Sequence, residues 1–362
     1  MKTPCLLPNL ALFLLATSAA PVEVKDFKTI IPPDGQCYHG MAVSMYDTFE
    51  KDFKEFQDTT GKKVAVLHWF TPALNKQGKP CDWAGQQRKF MERCKNLGYI
   101  PCINYVFKSD EGKFAGFDAY TSGKMDKQLK GMADSFLEYG DPILLAINHE
   151  MNGSWYPWSA ARKHSSEEAA ILEKEDAVSS VSLSKTAAET VFKGYIESWR
   201  YIHHFLRNAG CKNVAFCFVV GAGATVDAKK NPYPYIKYYP GDEYVDWLGF
   251  DTYNNTPPEA LEKLATELDA LAKGRPMLVK EWGECASRAR QYLGGKDKYP
   301  GDGKWMNQFF DVVERHPSIK VISYFHRGAS YKITRPGGEE ALKAYRERIA
   351  NKRYLAGTTA QD

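Results

Sequence analysis

The stretch Ile143 to Asn148, Ile-Leu-Leu-Ala-Ile-Asn, is a short apolar run that breaks off into His149-Glu150-Met151-Asn152-Gly153-Ser154-Trp155-Tyr156-Pro157-Trp158. A run this short, bounded by longer stretches of helical periodicity, reads as a strand of a parallel sheet. Seven more runs of the same kind flank it: Gly40 to Met45, Val64 to Trp69, Ile100 to Tyr105, Val214 to Val219, Trp247 to Phe250, Met277 to Glu281 and Val321 to Phe325. Between them lie the amphipathic stretches Phe49 to Gln57, Trp83 to Leu97, Met125 to Glu138, Glu189 to Asn208, Glu259 to Ala272, Trp305 to Glu314 and Glu339 to Ile349. Eight such runs, alternating with helical stretches, are the number that closes a barrel. The expected fold is therefore α/β, a (β/α)8 TIM barrel in a single domain.

Two interruptions of the alternation stand out. The connection after the fifth run is rich in Pro and Tyr and has room for only a short helix. The segment 165–185, rich in Glu, Ser and Ala, reads as an extended loop after the fourth strand, either functional or a tolerated surface insertion.

With 362 residues, 44% hydrophobic and 25% charged, the chain can fill one large core, and barrels of this length commonly form a single domain. A net charge of +4, with Lys and Arg scattered among Asp and Glu, gives no reason to expect nucleic acid or an anionic membrane as partner. Met1-Lys2-Thr3, the apolar run Leu6 to Leu15 and the small residues Ala16 to Ala20 have the layout of a secretory signal peptide. Cleavage after Ala20 or one residue earlier would leave residues 21–362 as the mature catalytic domain, secreted and extracellular, and expected to act as a monomer.

Of the eight cysteines, Cys5 would leave with the leader, so an odd number remains and at least one is unpaired. Export makes disulfides plausible, with Cys94 and Cys102, or Cys211 and Cys217, as local candidates, while buried free thiols are the alternative. No metal or organic cofactor is implied. No CxxC occurs, and the His149-Glu150 segment lacks the second His of a zinc-protease helix.

In a barrel of this kind the chemistry sits where strands end. Glu150 lies just past the fourth run and Glu281 ends the seventh, so the two carboxyls face each other across the mouth. Such a pair is what glycoside hydrolysis needs: one acid protonates the leaving oxygen and one carboxylate attacks or stabilises the anomeric carbon. Trp155, Tyr156, Trp158 and Trp282 flank these acids, and flat aromatic faces pack against the apolar C–H face of a sugar ring.

The string His149 to Trp158 resembles the signature of glycoside hydrolase family 26, whose members include β-mannanases. The resemblance continues in Gly123 to Asp126, in Ser198-Trp199-Arg200, in Tyr239 to Asn254 and in Val279-Lys280-Glu281-Trp282-Gly283, and covers most of residues 40–350. It implies Glu150 as acid/base, Glu281 as nucleophile and retention of configuration. It also implies that Tyr253 hydrogen-bonds the nucleophile, and that His149, Trp155, Trp158 and His68 lie at the substrate, for His68 with a loose register and a core position as the alternative; Trp282 and Tyr324, aromatics at the ends of the seventh and eighth runs, are further candidates for substrate contact. Two departures concern the sugar subsites: the fifth strand continues as Cys217 to Gly223 without Trp, and the eighth presents Tyr324-Phe325-His326 where relatives often carry Trp.

The leading expectation is an endo-hydrolase of β-1,4-mannan, glucomannan or galactomannan. A β-1,3-1,4-glucanase or β-1,3-xylanase is the alternative within the family, and a non-catalytic polysaccharide-binding barrel the alternative outside it. A phosphate-binding barrel enzyme would need a Gly-rich anion loop after the seventh or eighth strand, and Gly294-Gly295 and Gly337-Gly338 are too isolated for that.

Overall fold

The computed structural model describes residues 22–44, 48–162, 183, 185–226, 233–284 and 303–357. Residues 1–20, expected to be a leader, and nearly all of the 165–185 segment lie outside the described residues. Eight parallel strands form a closed ring: β1 Cys37–Ala42, β2 Val66–Pro72, β3 Ile100–Val106, β4 Ile143–Ile147, β5 Val214–Gly221, β6 Trp247–Tyr253, β7 Met277–Gly283 and β8 Ile319–Phe325, with β1 pairing both β8 and β2. A two-residue β9, Tyr354–Leu355, adds to the outer end of β1.

Helices cover the outside of the ring: α1 Phe49–Thr60, α2 Trp83–Leu97, α3 Asp126–Tyr139, α4 Lys185–Asn208, α5 Pro258–Ala272, α6 Lys304–Arg315 and α7 Glu339–Ile349. Their ends follow local chemistry. Gly61, Gly98 and Gly140 close α1, α2 and α3 in the left-handed region that a Cβ disfavours, and Pro258 opens α5 with the φ that a first turn needs. Between β5 and β6 the described residues hold only short 3₁₀ turns, as the Pro and Tyr content suggested.

Strand alternation divides the apolar residues into two layers. Val66, Ile100, Cys102, Leu144, Ala146, Cys217, Val219, Trp247 and Leu278 fill the barrel interior, with Ile30 packed against them. Residues one step along the same strands, such as Leu67, Ile103, Leu145, Phe218 and Val279, face the helices. Gly249 marks a close approach of two strands, since a Cβ there would lie 2.3 Å from the Leu278 carbonyl oxygen.

This wall of strands corrects the disulfide candidates. Cys94 and Cys211 lie in the outer layer while Cys102 and Cys217 lie in the inner one, and all four are free buried thiols. Neither pair can bridge the sheet that separates its members.

Candidate active site

The end of β4 is bent into an unusual shape. Asn148 and Glu150 have φ of 46° and 52°, a left-handed conformation that costs non-glycine residues on the order of 1–3 kcal/mol and persists only where surroundings enforce it. Here they do. Asn148 accepts from the Phe107 N–H at 2.9 Å, the Tyr195 hydroxyl donates to the carbonyls of Ile147 and Asn148, and Trp158 Nε1 donates to the His149 carbonyl at 2.9 Å. The Glu150 N–H reaches the Val219 carbonyl at 2.9 Å, and the Asn152 side chain both donates to and accepts from the Gly221 backbone. The segment from Ile147 to Asn152 is thus clamped between β3, α4 and β5, which aims His149 and Glu150 into the mouth.

β7 achieves its own aim differently. Val279 pairs with Phe250 and Glu281 with Asp251, while on the other side Val279 pairs with Ile322 and Trp282 with Tyr324. Lys280 is the extra residue of a β-bulge, and a bulge sends two successive side chains to one side of the sheet. Lys280 and Glu281 consequently both belong to the barrel interior and mouth, and Trp282 faces outward.

Glu281 sits at the centre of a hydrogen-bonded cluster. The Tyr253 hydroxyl donates to its Oε2 at 3.1 Å and the Lys280 ammonium contacts its Oε1. His149 Nδ1 lies 3.4 Å from the same Oε1, and His68 Nε2 lies 3.9 Å away. His149 Nδ1 is 2.6 Å from Asp251 Oδ2, which makes Nδ1 the nitrogen that carries hydrogen and leaves Nε2 to accept from the Tyr156 hydroxyl at 3.0 Å. Burial and the neighbouring Lys280 charge push both His149 and His68 well below the usual imidazole range, so both rings are neutral in ordinary buffers.

Glu150 accepts from Trp155 Nε1 at 2.6 Å. Trp155 lies against Gly153, where a Cβ would come within 2.5 Å of the indole ring, yet 48% of its surface stays exposed. An open aromatic face beside a buried acid is what a sugar ring can stack on.

A cavity of about 460 Å³ adjoins these groups, lined by Phe70, Tyr156, Phe325, Tyr331, Arg327 and Lys108 among others. Phe70 meets the His149 ring edge-on at 5.6 Å and Phe325 meets Tyr253 at 5.9 Å, so the wall of the cavity packs against the carboxylate cluster. His149, Glu150 and Asp251 bring donor atoms within 4.8 Å of one another, a spacing that could suit a cation. The Lys280 ammonium, 3.0 Å from Asp251 Oδ2 and 3.0 Å from His149 Nδ1, already supplies one.

Of the residues expected from sequence, Glu150, Glu281, His149, Tyr253 and Trp155 come together here. His68 is fully buried beside Glu281, and among the described residues neither ring nitrogen is hydrogen-bonded. Three expectations require correction. Trp158 is fully buried, stacked on Tyr156 at 4.4 Å, so it supports the cleft from behind and Tyr156 is the ring that faces it. Trp282 and Tyr324 belong to the outer layer, where Trp282 stacks on Phe309 at 3.9 Å and meets Tyr324 edge-on. Trp282 flanks Glu281 in sequence, but the bulge turns it to the opposite side of the wall, while Tyr324 shares the outer side of β8 with Ile322 by ordinary alternation.

Lys280, Asp251, Phe70 and Phe325 were not assigned from sequence. A signal existed for Lys280: in Met277-Leu278-Val279-Lys280-Glu281, alternation from the inward Leu278 places a lysine inside the barrel, a position that demands a counter-charge.

The sequence profile described as Glycosyl hydrolase family 26 matches residues 117–290, a range that holds the clamped β4 end, Tyr253 and the β7 bulge. The chain is 26% identical over 311 residues to Endoglucanase H of Acetivibrio thermocellus, covering 83% of this chain and 29% of that protein. It is 25% identical over 217 residues to a mannan endo-1,4-beta-mannosidase of Bifidobacterium adolescentis, covering 56% of this chain and 18% of that one. The chain therefore spans under a third of the length of these curated relatives. Among solved structures, a GH26 β-mannanase from Bacteroides ovatus superposes with a TM-score of 0.59 at 17% identity, over 89% of this chain and 90% of that one. GH26C from a Muricauda species gives 0.62 at 15%, over 90% and 88%. These likenesses show the barrel fold.

Proposed function

As the chain belongs to glycoside hydrolase family 26, we propose that residues 21–362 form a secreted, retaining endo-hydrolase of β-1,4-mannan, glucomannan or galactomannan. The observation that carries this reading is the asymmetry of the two acids. Glu281 is met by donors at both oxygens, from Lys280 and Tyr253, which suits a carboxylate that attacks. Glu150 lies at the aromatic edge of the cleft against Trp155, which suits a group that hands over a proton.

In this reading Glu150 protonates the glycosidic oxygen as Glu281 attacks the anomeric carbon, releasing the first sugar product and leaving a glycosyl ester on Glu281. Water then enters, Glu150 takes its proton, and the new C–O bond displaces Glu281 with net retention. His149, fixed as the neutral tautomer by Asp251, would lie beside the reacting sugar, and Trp155 and Tyr156 would stack against adjacent rings. Secretion is supported by the leader-like pattern of residues 1–20, and among the described residues no helix is long and apolar enough to cross a membrane.

A second reading, hydrolysis of mixed-linkage β-glucan, is favoured by the relative named as an endoglucanase and by the presence of Phe325 at the cleft on β8. A reducing-sugar assay across galactomannan, glucomannan, mixed-linkage glucan and β-1,3-xylan separates the two, with product lengths at early times and the first-formed anomer read by NMR. Release of short mannan oligomers as the β-anomer is the expected result. Dominant turnover of mixed-linkage glucan would move the assignment to the second reading, and an initial α-anomer would overturn retention.

A further inference from the structure

Lys280 is fully buried and belongs to none of the bond-making steps above, yet it reaches both Asp251 and Glu281. Its ammonium contacts Glu281 Oε1 and lies 3.0 Å from Asp251 Oδ2 and 3.0 Å from His149 Nδ1, with the Phe70 ring centre 5.5 Å away. Two carboxylates on neighbouring strands therefore share one cation in a buried place. Carboxylates so placed cannot both stay ionised without a counter-charge, because each disfavours the charged form of the other and burial disfavours both.

The groups packed around the ammonium narrow what can titrate there. From β2 comes His68 and from the end of β4 His149, both held neutral to well below their usual range by burial and by Lys280 itself. From β3 and β5 come Cys102, pushed up to about 12 by burial, and Cys217, also raised by burial, so both are neutral thiols. Tyr253 on β6 donates to the far oxygen of Glu281, and Glu150 lies across the mouth near His149 and Asp251. Arg327 adds a further positive charge near His68, as Lys108 does near His149. Burial opposes charge on Lys280, but Asp251 and Glu281 outweigh it and hold the ammonium above its ordinary range.

We propose that Lys280 is a positioning residue that keeps Asp251 and Glu281 ionised together, and thereby sets how far into acid the enzyme works. The inference rests on the reading of Glu281 as nucleophile and adds to it the source of its counter-charge. Without Lys280 the two buried carboxylates retain one proton between them to higher pH, Glu281 loses nucleophilic form, and Asp251 loses its grip on the His149 tautomer. The sign is fixed: removing the cation must raise the pH at which activity appears.

The test is the pH profile of kcat/KM on the polysaccharide that the wild-type enzyme cleaves. Lys280→Met should move the acidic limb upward by about one unit or more, with activity partly recovered above it. In the double variant Lys280→Met/Asp251→Asn the limb should return toward the wild-type position, because the competing charge is gone. Asp251→Asn alone should move it downward and does not depend on Lys280→Met folding well. A lysine that merely packs would lower kcat at every pH and leave the limb in place; an unmoved limb in both Lys280→Met and Asp251→Asn overturns the inference. Failure of the wild-type enzyme to cleave any β-glycan would instead overturn the hydrolase reading, and this one with it.

Discussion

Glu281 and Trp282 are neighbours in sequence and occupy opposite worlds. Glu281 enters a mouth where Lys280, Asp251, His149 and Tyr253 satisfy one another by hydrogen bonds and charge. Trp282 enters a layer where Phe309, Phe310, Tyr324 and Tyr345 surround it with rings and no hydrogen-bond partner meets its indole N–H. One side of the strand stores electrostatic organisation, which is worth most where charge changes during a reaction. The other stores apolar burial and dispersion, which hold the barrel closed whatever the chemistry. The bulge at Lys280 is the hinge between them, since without it Glu281 and Trp282 would exchange sides.

The sharpest way to break this division is to truncate both residues. Glu281→Ala should lower kcat/KM by about 10⁴-fold or more, with a melting temperature equal to or above the wild type, because a buried charge and its desolvation cost are removed together. Trp282→Ala should do the reverse, destabilising the fold by about 3–5 kcal/mol, the usual cost of deleting a packed aromatic. Its remaining folded fraction should keep most of its turnover. Chemical denaturation and steady-state kinetics on the same preparations read both quantities. Large stability loss in Glu281→Ala, or selective kcat loss in fully folded Trp282→Ala, would show that the two sides are not separable.

A smaller effect probes the inner side alone. Tyr253→Phe removes one hydrogen bond to Glu281 at nearly constant volume, and a bond to a charged group is worth about 1.5–3 kcal/mol. Turnover should fall about 10- to 100-fold with little change in denaturation midpoint. An unchanged rate would mean that the bond in the free enzyme is not used in the reaction.

The alternation of apolar runs made the barrel readable because each strand is buried on both faces and each helix on one, so the two periods differ plainly along the chain. Glu150 and Glu281 could be proposed as a pair because each lies at the end of a barrel strand, where the chemistry of this fold is sited, with aromatics beside it. What sequence did not reveal is which side of the wall each aromatic takes. Trp155, Trp158 and Trp282 look alike as letters near an acid, yet the one-residue bulge at Lys280 turns Trp282 outward, and past the left-handed Glu150 the loop leaves Trp155 half-exposed and buries Trp158. Local backbone irregularities of this kind carry no pattern of their own. Lys280 was legible only in retrospect, as a charge at an inward position of an apolar run.

Gly153 tests the aromatic edge of the mouth without touching its charges. A methyl group there would lie 2.5 Å from the Trp155 ring, and this half-exposed ring can swing away more cheaply than the clamped backbone can move. Gly153→Ala should therefore free Glu150 from Trp155 and lower kcat/KM by about tenfold, the worth of one hydrogen bond, while the melting temperature stays nearly constant. If Trp155 only covers the loop, stability rather than rate would respond.

The smallest expected effect is none at all, and it tests the wall of strands directly. Cys94 and Cys211 lie outside it, Cys102 and Cys217 inside, and burial raises all four thiols far enough that none is a thiolate at neutral pH. Reactivity belongs to the thiolate, so these side chains should resist alkylation in the native protein and label fully in denaturant. Dithiothreitol should leave the melting temperature unchanged, since no crosslink joins the two layers at these positions. Native labelling of Cys102 or Cys217 by iodoacetamide, read by mass spectrometry, would mean that the barrel opens far enough to admit a reagent. That opening would also expose the ammonium and carboxylates beside Cys102, and the sealed inner side on which the comparison with Trp282 depends would be lost.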